Sequence, residues 1–128
     1  MISPKKQSEQ KKVKNLYRKL LKQQKVSFPP KGEKLKATDK KGVYIIYDPK
    51  GNVAHVGCTP RAKKGVRQRL GNHLAGLSSF VGKYLKNDSA QLRKGFQFRY
   101  IELDDSRQRK LVEALAMGCL CPKHVGEG

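Results

Sequence analysis

Five side chains in this 128-residue sequence stand out for their type and their setting. Tyr44 sits inside the apolar run GVYIIY and His55 inside VAHVG, where a purely structural strand more often carries Val, Ile or Thr. Arg69 and His73 lie one helical turn apart in a basic segment and so share a helix face. Glu113 is an isolated acid in the apolar stretch LVEALAMGCLC. Phosphodiester chemistry fits this set. One carboxylate can hold a hard divalent ion whose shell is completed by water and phosphate oxygens. An arginine can stabilise charge developing on a phosphate, and Tyr or His can relay a proton from attacking water. Each residue also has a plainer reading. A single His is more often a core or surface residue than a catalyst, Arg69 is one of 29 basic residues, and Glu113 can pair with an arginine along a wet seam.

The elements that must position these residues follow from the pattern. GVYIIY and VAHVG are short β-branched and aromatic runs separated by DPKGN, whose Asp48, Pro49, Gly51 and Asn52 supply turn geometry, so the two runs form a hairpin. The basic segment after it holds Pro60, Arg61, Lys63 and Lys64 and opens a helix from about Gly65 to Leu74, with Val66, Leu70, His73 and Leu74 at helical spacing. SSFVGKYLKN reads as a short helix capped by Ser78 or Ser79 and packed through Phe80 or Val81, Tyr84 and Leu85. GFQFRYIEL alternates as a third strand, with Phe96, Phe98 and Tyr100 on one face. Asp104 to Ser106 breaks it and can cap a last helix from about Arg107 to Cys121. Because that helix lacks a polar face it should be buried on most sides, which makes Glu113 costly unless paired, hydrogen-bonded or coordinated.

Ahead of the hairpin, residues 1 to 10 are polar and expected to fray. Val13, Leu16, Tyr17, Leu20 and Leu21 then mark an amphipathic helix whose other face is nearly all basic, either a solvated face or one turned to DNA. Val26 to Lys40, with Pro29, Pro30 and Gly32, reads as a linker that neither continues the helix nor enters a sheet. The expected division is residues 1–40 as basic helix and linker and residues 41–128 as one folded domain.

Charge narrows the partner. A formal net charge of +19, from 29 Lys and Arg against 10 Asp and Glu, calls for a polyanion, and nucleic acid comes first because neutralising phosphates releases counterions. A membrane surface ranks behind it. No run approaches the roughly 18 apolar residues of a spanning helix, and the N-terminus carries no signal-peptide core. Three cysteines, Cys58, Cys119 and Cys121, without an export signal are expected as reduced thiols in a cytoplasmic protein, nucleoid-associated if bacterial. Cys119 and Cys121 read as small apolar residues at the end of a buried helix. A zinc site drawn from His55, Cys58, Cys119, Cys121 and His124 is the sharper and less favoured alternative.

The order and spacing of these residues resemble the GIY-YIG nucleases. GVY at 42–44 matches the first triplet, HVG at 55–57 the second, Arg69 and His73 the family's helix pair, and Glu113 its late metal-binding acid. The resemblance covers roughly residues 41–125. It implies a small α+β domain with a three-stranded antiparallel sheet flanked by helices, to which the N-terminal amphipathic helix is extra. It implies hydrolysis of DNA strands with one divalent ion, Mg2+ or Mn2+. Tyr44 would help deprotonate the water, Arg69 would hold the phosphate, Glu113 would bind the metal, and His73 would assist proton transfer. Arg61, Lys63, Lys64 and Arg67 would bind DNA. The sequence departs from the family in two places. His55 stands where the second triplet usually begins with Tyr, and after Pro122 the chain has Val125 where the family has Asn, with His124 as the nearest stand-in. Two readings follow: a metal-dependent endonuclease, or a nucleic-acid-binding module on an impaired nuclease scaffold. An RNA-binding protein is a third, more remote. Specificity would come from the N-terminal helix, the basic loops or a partner protein, and oligomeric state is left open.

Overall fold

In a computed structural model of the chain, residues 4–59 and 65–125 are described. Helix α1 spans Pro4–Leu21, strand β1 Val26–Ser27, β2 Gly42–Tyr47 and β3 Val53–Cys58; helix α2 spans Gly65–Leu74, strand β4 Gln97–Glu102 and helix α3 Ser106–Leu120. A five-residue π-helix, Phe80–Tyr84, and a 3-10 turn, Ser89–Arg93, lie between α2 and β4. The sheet is antiparallel in the order β1-β4-β2-β3.

The hairpin forms where DPKGN predicts it. Asp48 Oδ1 accepts from the backbone N–H groups of Lys50 and Asn52, an Asx arrangement that closes the turn. Register pairs Tyr44 with Gly57 and Ile46 with His55, so these four residues share one face. All of β2 is buried, because β4 and β3 flank it and helices cover both faces. Tyr44, Ile46, Ala54 and Phe98 pack with Val66, Leu70 and Phe80 on one side. Val43, Ile45, Val56 and Ile101 pack with α1 and α3 on the other.

The sheet has four strands rather than three. Val26 and Ser27, expected within a linker, pair with Phe98 and Gln97 as a two-residue edge strand, held because Phe28 just beyond buries its ring edge-on to Phe98. Helix α1 already begins at Pro4, inside the segment expected to fray; proline is tolerated in a first turn, where no intrahelical N–H is needed. Helix α3 is not buried on most sides. Val112 and Ala116 face the core, while Cys119 and, just past the helix, Cys121 are exposed, because the helix packs on one face of the sheet and against α1 and leaves its remaining surface to solvent. Asp105 caps it through the Gln108 N–H, as the Asp104–Ser106 break suggests.

Two junctions fix where the helices stand. The first N–H groups of α2 donate to the loop before β2, Val66 to the Lys40 carbonyl and Arg67 to the Thr38 carbonyl, which ties α2 to the start of the hairpin. Arg109, almost wholly buried in α3, donates to the carbonyls of Thr59, Leu103 and Asp104, so the ends of β3 and β4 are drawn onto one guanidinium. Arg109→Ala strands one buried and two partly buried carbonyls and is expected to lower unfolding stability in urea by about 1–3 kcal/mol. Arg109→Lys should recover less than half of that, because an ammonium cannot span the three acceptors. Urea midpoints indistinguishable from wild type would show that this junction contributes nothing.

Candidate active site

β2 is central and β3 is the sheet edge, so a side chain on β2 reaches the edge only by crossing β3. Tyr44 does this over Gly57. A Cβ built on Gly57 would lie 2.5 Å from both Cζ and Oη of Tyr44. The glycine of the second triplet is therefore required by the tyrosine of the first. The Tyr44 hydroxyl lies 2.8 Å from Nε2 of His73, which α2 presents from above. The other ring nitrogen of His73, Nδ1, lies 2.6 Å from Ser78 Oγ, and that hydroxyl also accepts from the Val81 N–H at 3.3 Å. Ser78, expected only as a helix cap, thus anchors the imidazole as well.

Arg69, one turn before His73, is half-buried, and its Nε is buried without a hydrogen-bond partner. Such a donor costs about 1–3 kcal/mol unless a ligand satisfies it, which suits a site built to receive an anion. His55, on β3, stacks on Phe80 at 4.8 Å between ring centroids and lies 5.2 Å from the His73 ring. The C-terminal segment docks along the outer edge of β3, where Lys123 and His124 donate their N–H groups to the Val53 and Ala54 carbonyls. This puts His124 Nδ1 3.2 Å from His55 Nδ1. One ring must donate and the other accept, so the pair is built to share a proton.

Glu113 lies on α3, against the other face of β3. It is half-buried and accepts from the Cys58 thiol. Burial and then the Glu113 carboxylate push that thiol up to about 12, so Cys58 stays protonated as a donor. Glu113 also lies within electrostatic reach of Tyr44. The site straddles the β3 edge, with Tyr44, His55, Arg69 and His73 on one face and Glu113 on the other.

Burial sets the protonation states. It pushes Tyr44 up to about 12, against the opposing pull of Arg69, so the phenol is neutral. It lowers His73 to about 3, with the His55 and Arg69 charges adding to the effect, and lowers His55 to about 4, with His124 and Arg69 contributing. His124 shifts down for the same first reason, with Lys83 second. At neutral pH the imidazoles are uncharged. His55 has the position of a base but far less basicity than a free imidazole.

The other sequence expectations separate. Val125 is 59% exposed and points no group into the cluster, whereas its neighbour His124 is buried there. Arg67 is half-exposed and paired with Asp39 at 2.7 Å. Arg61, Lys63 and Lys64 lie outside the described residues. Cys119 and Cys121 are exposed, and among the described residues no group of three His, Cys, Asp or Glu side chains is arranged to hold a metal.

This sheet, with a glycine-crossed hairpin feeding the Arg-His helix, is a GIY-YIG-like fold, and a solved structure shows it. The GIY-YIG N-terminal endonuclease domain of UvrC from Thermotoga maritima, a point mutant bound to its catalytic divalent cation, aligns with 72% of this chain and 89% of its own. The TM-score is 0.52 and the identity 19%, so the likeness is one of fold. No protein-family model and no curated protein matches the chain.

The buried imidazoles make stability depend on pH. Unfolded, both titrate near 6.5 and take up protons below it, while the folded chain does not until about 4 for His55 and about 3 for His73. Stability is therefore full above pH 6.5 and falls as pH drops, by up to about 1.4 kcal/mol per unit for each group. Urea unfolding should show a loss of about 2 kcal/mol or more between pH 7 and pH 5, and a shallower slope in His73→Gln. A flat profile over that range would contradict neutral burial.

Proposed function

We propose that the chain is a divalent-metal-dependent DNA endonuclease, and the observation that carries this is the Tyr44–His73 hydrogen bond beside Arg69, whose guanidinium also bonds Tyr44 while its buried Nε has no protein partner. Three features support it. The Tyr44 hydroxyl donates to the neutral Nε2 of His73 2.8 Å away, which leaves an oxygen lone pair to orient and polarise an attacking water. With Nδ1–H donated to Ser78 Oγ, the imidazole holds the tautomer that leaves Nε2 free to accept. The buried Nε of Arg69 would meet a phosphate oxygen, and an anion there also offsets the Arg69 charge that helps hold His73 down.

Glu113 fits a metal as its single protein carboxylate. It is half-buried, its thiol neighbour donates to it rather than competing with a charge, and a hard divalent ion accepts water and phosphate for its other positions. Bound there, the ion would supply Lewis-acid stabilisation of charge on the scissile phosphate. His124, carried into the cluster by the edge of β3, adjoins Val125 in the chain, where the family has Asn.

A binding module without turnover is the second reading, favoured by Val125, which offers no amide and faces solvent. Both readings take DNA as the ligand, with affinity that falls steeply as salt rises. The reaction separates them. With Mg2+ or Mn2+ the protein should nick supercoiled plasmid, and Tyr44→Phe, Arg69→Ala and Glu113→Gln should each reduce the rate about 100-fold or more while leaving low-salt gel shifts intact. Gel shifts without cutting in either metal would establish the binding module.

A further inference from the structure

Between the β2–β3 turn and the π-helix lies a cavity of about 430 Å³ lined by Asp48, Lys50, Tyr84, Gln91, Lys94 and Lys123 among others. None of these residues takes part in the proposed chemistry. We infer that this cavity is a nucleotide subsite that receives one unpaired nucleotide of the strand whose phosphate lies at Arg69, an inference that rests on the DNA reading above.

The lining matches that ligand. Three ammonium groups face one carboxylate, and that carboxylate is already engaged by Lys123 at 3.0 Å and by two backbone N–H groups. The excess charge calls for an anion. Tyr84 supplies an aromatic surface of the kind on which bases stack in proteins that hold single strands. The volume lies in the range of ligand pockets, and the cavity is open to solvent on one side, as an entering nucleotide requires.

The cavity is also joined to the candidate active site. Tyr84 packs on Phe80 at 5.4 Å between centroids, and the same Phe80 stacks on His55. Lys123 is next in the chain to His124. Two elements that hold the catalytic cluster therefore also form this wall. The backbone is shaped for it: Tyr84 ends a π-helix, a form that recurs at functional sites. Lys86 and Asn87 follow with φ of 52° and 66°, two successive left-handed residues other than glycine. Beyond them Gln91 Nε2 donates to the Leu85 carbonyl at 3.2 Å, which ties two lining residues together.

A base stacked inside a duplex has both faces covered and cannot lie against Tyr84, whereas an unpaired or extruded one can. The cavity thus selects DNA with a nucleotide out of the stack, as at a flap, branch or bulge, over continuous duplex. The test is fluorescence anisotropy in EDTA, where no cutting occurs, with a labelled duplex carrying one unpaired nucleotide and the same duplex fully paired. Wild type should bind the first about 5-fold or more tightly than the second, as expected for one base stack. Tyr84→Phe should keep that preference and Tyr84→Ala should lose it, with affinity for the paired duplex unchanged as proof of folding. Equal affinities in wild type, or an undiminished preference in Tyr84→Ala, overturns the subsite and leaves the nuclease reading standing. Failure of wild type to bind either duplex overturns both.

Discussion

The Tyr44 ring lies on Gly57 with no room for a Cβ between them, and the rest of the site depends on that approach. A central strand is the most rigid place in the sheet and the least accessible, since β2 is buried along its whole length. Carrying the phenol across a glycine of the edge strand keeps the rigidity, and the wholly buried hydroxyl meets His73 and Arg69 from α2. It also brings the two faces of the sheet to bear on one spot. Helix α2 delivers Arg69 and His73 from one face and α3 delivers Glu113 from the other. The remaining junctions hold that convergence in place: the Lys40 and Thr38 carbonyls under α2, the Arg109 guanidinium under β3 and β4, and the C-terminal segment along β3.

Low polarity and high positive charge act together in this cluster. Burial alone would neutralise His55 and His73, and the neighbouring Arg69 adds to the same effect, so the imidazoles stay uncharged while the guanidinium keeps its charge. The result is one permanent cation with an unsatisfied Nε among neutral acceptors. Such an arrangement gains most from an incoming anion, because the anion meets a donor that no protein group satisfies. The overall charge of +19 attracts nucleic acid to the surface generally, but this local arrangement is what suits a phosphate at one position.

Much of this was legible in the sequence because it is local. The turn residues of DPKGN, the four-residue spacing of Arg69 and His73, and an acid isolated in LVEALAMGCLC each carry their meaning within a few positions, and together they pointed to the GIY-YIG resemblance. What was not legible depends on tertiary placement. Val26 and Ser27 have too little length to announce a strand and pair only because Phe28 is anchored beyond them. The end of α3 is apolar in composition yet exposed, since nothing in a periodicity shows how much of a helix its neighbours cover. Arg109 is one basic residue among 29, and only its bond to the Thr59 carbonyl, far away in sequence, together with those to Leu103 and Asp104, sets it apart. Ser78 gave a cap signal, and its five-residue distance from His73 becomes a hydrogen bond only after α2 has ended and the chain has turned back.

If the two faces of the sheet meet in one site at the β3 edge, a divalent ion should bind there through Glu113. The most direct test is a Mn2+ titration followed by backbone amide NMR, in which the paramagnetic ion broadens the signals nearest to it. Gly57, Cys58 and the Glu113 turn of α3 should broaden first, and Glu113→Gln should abolish the effect. Broadening that begins instead around the acidic cavity of Asp39, Glu102 and Asp104, or that survives Glu113→Gln, would contradict it.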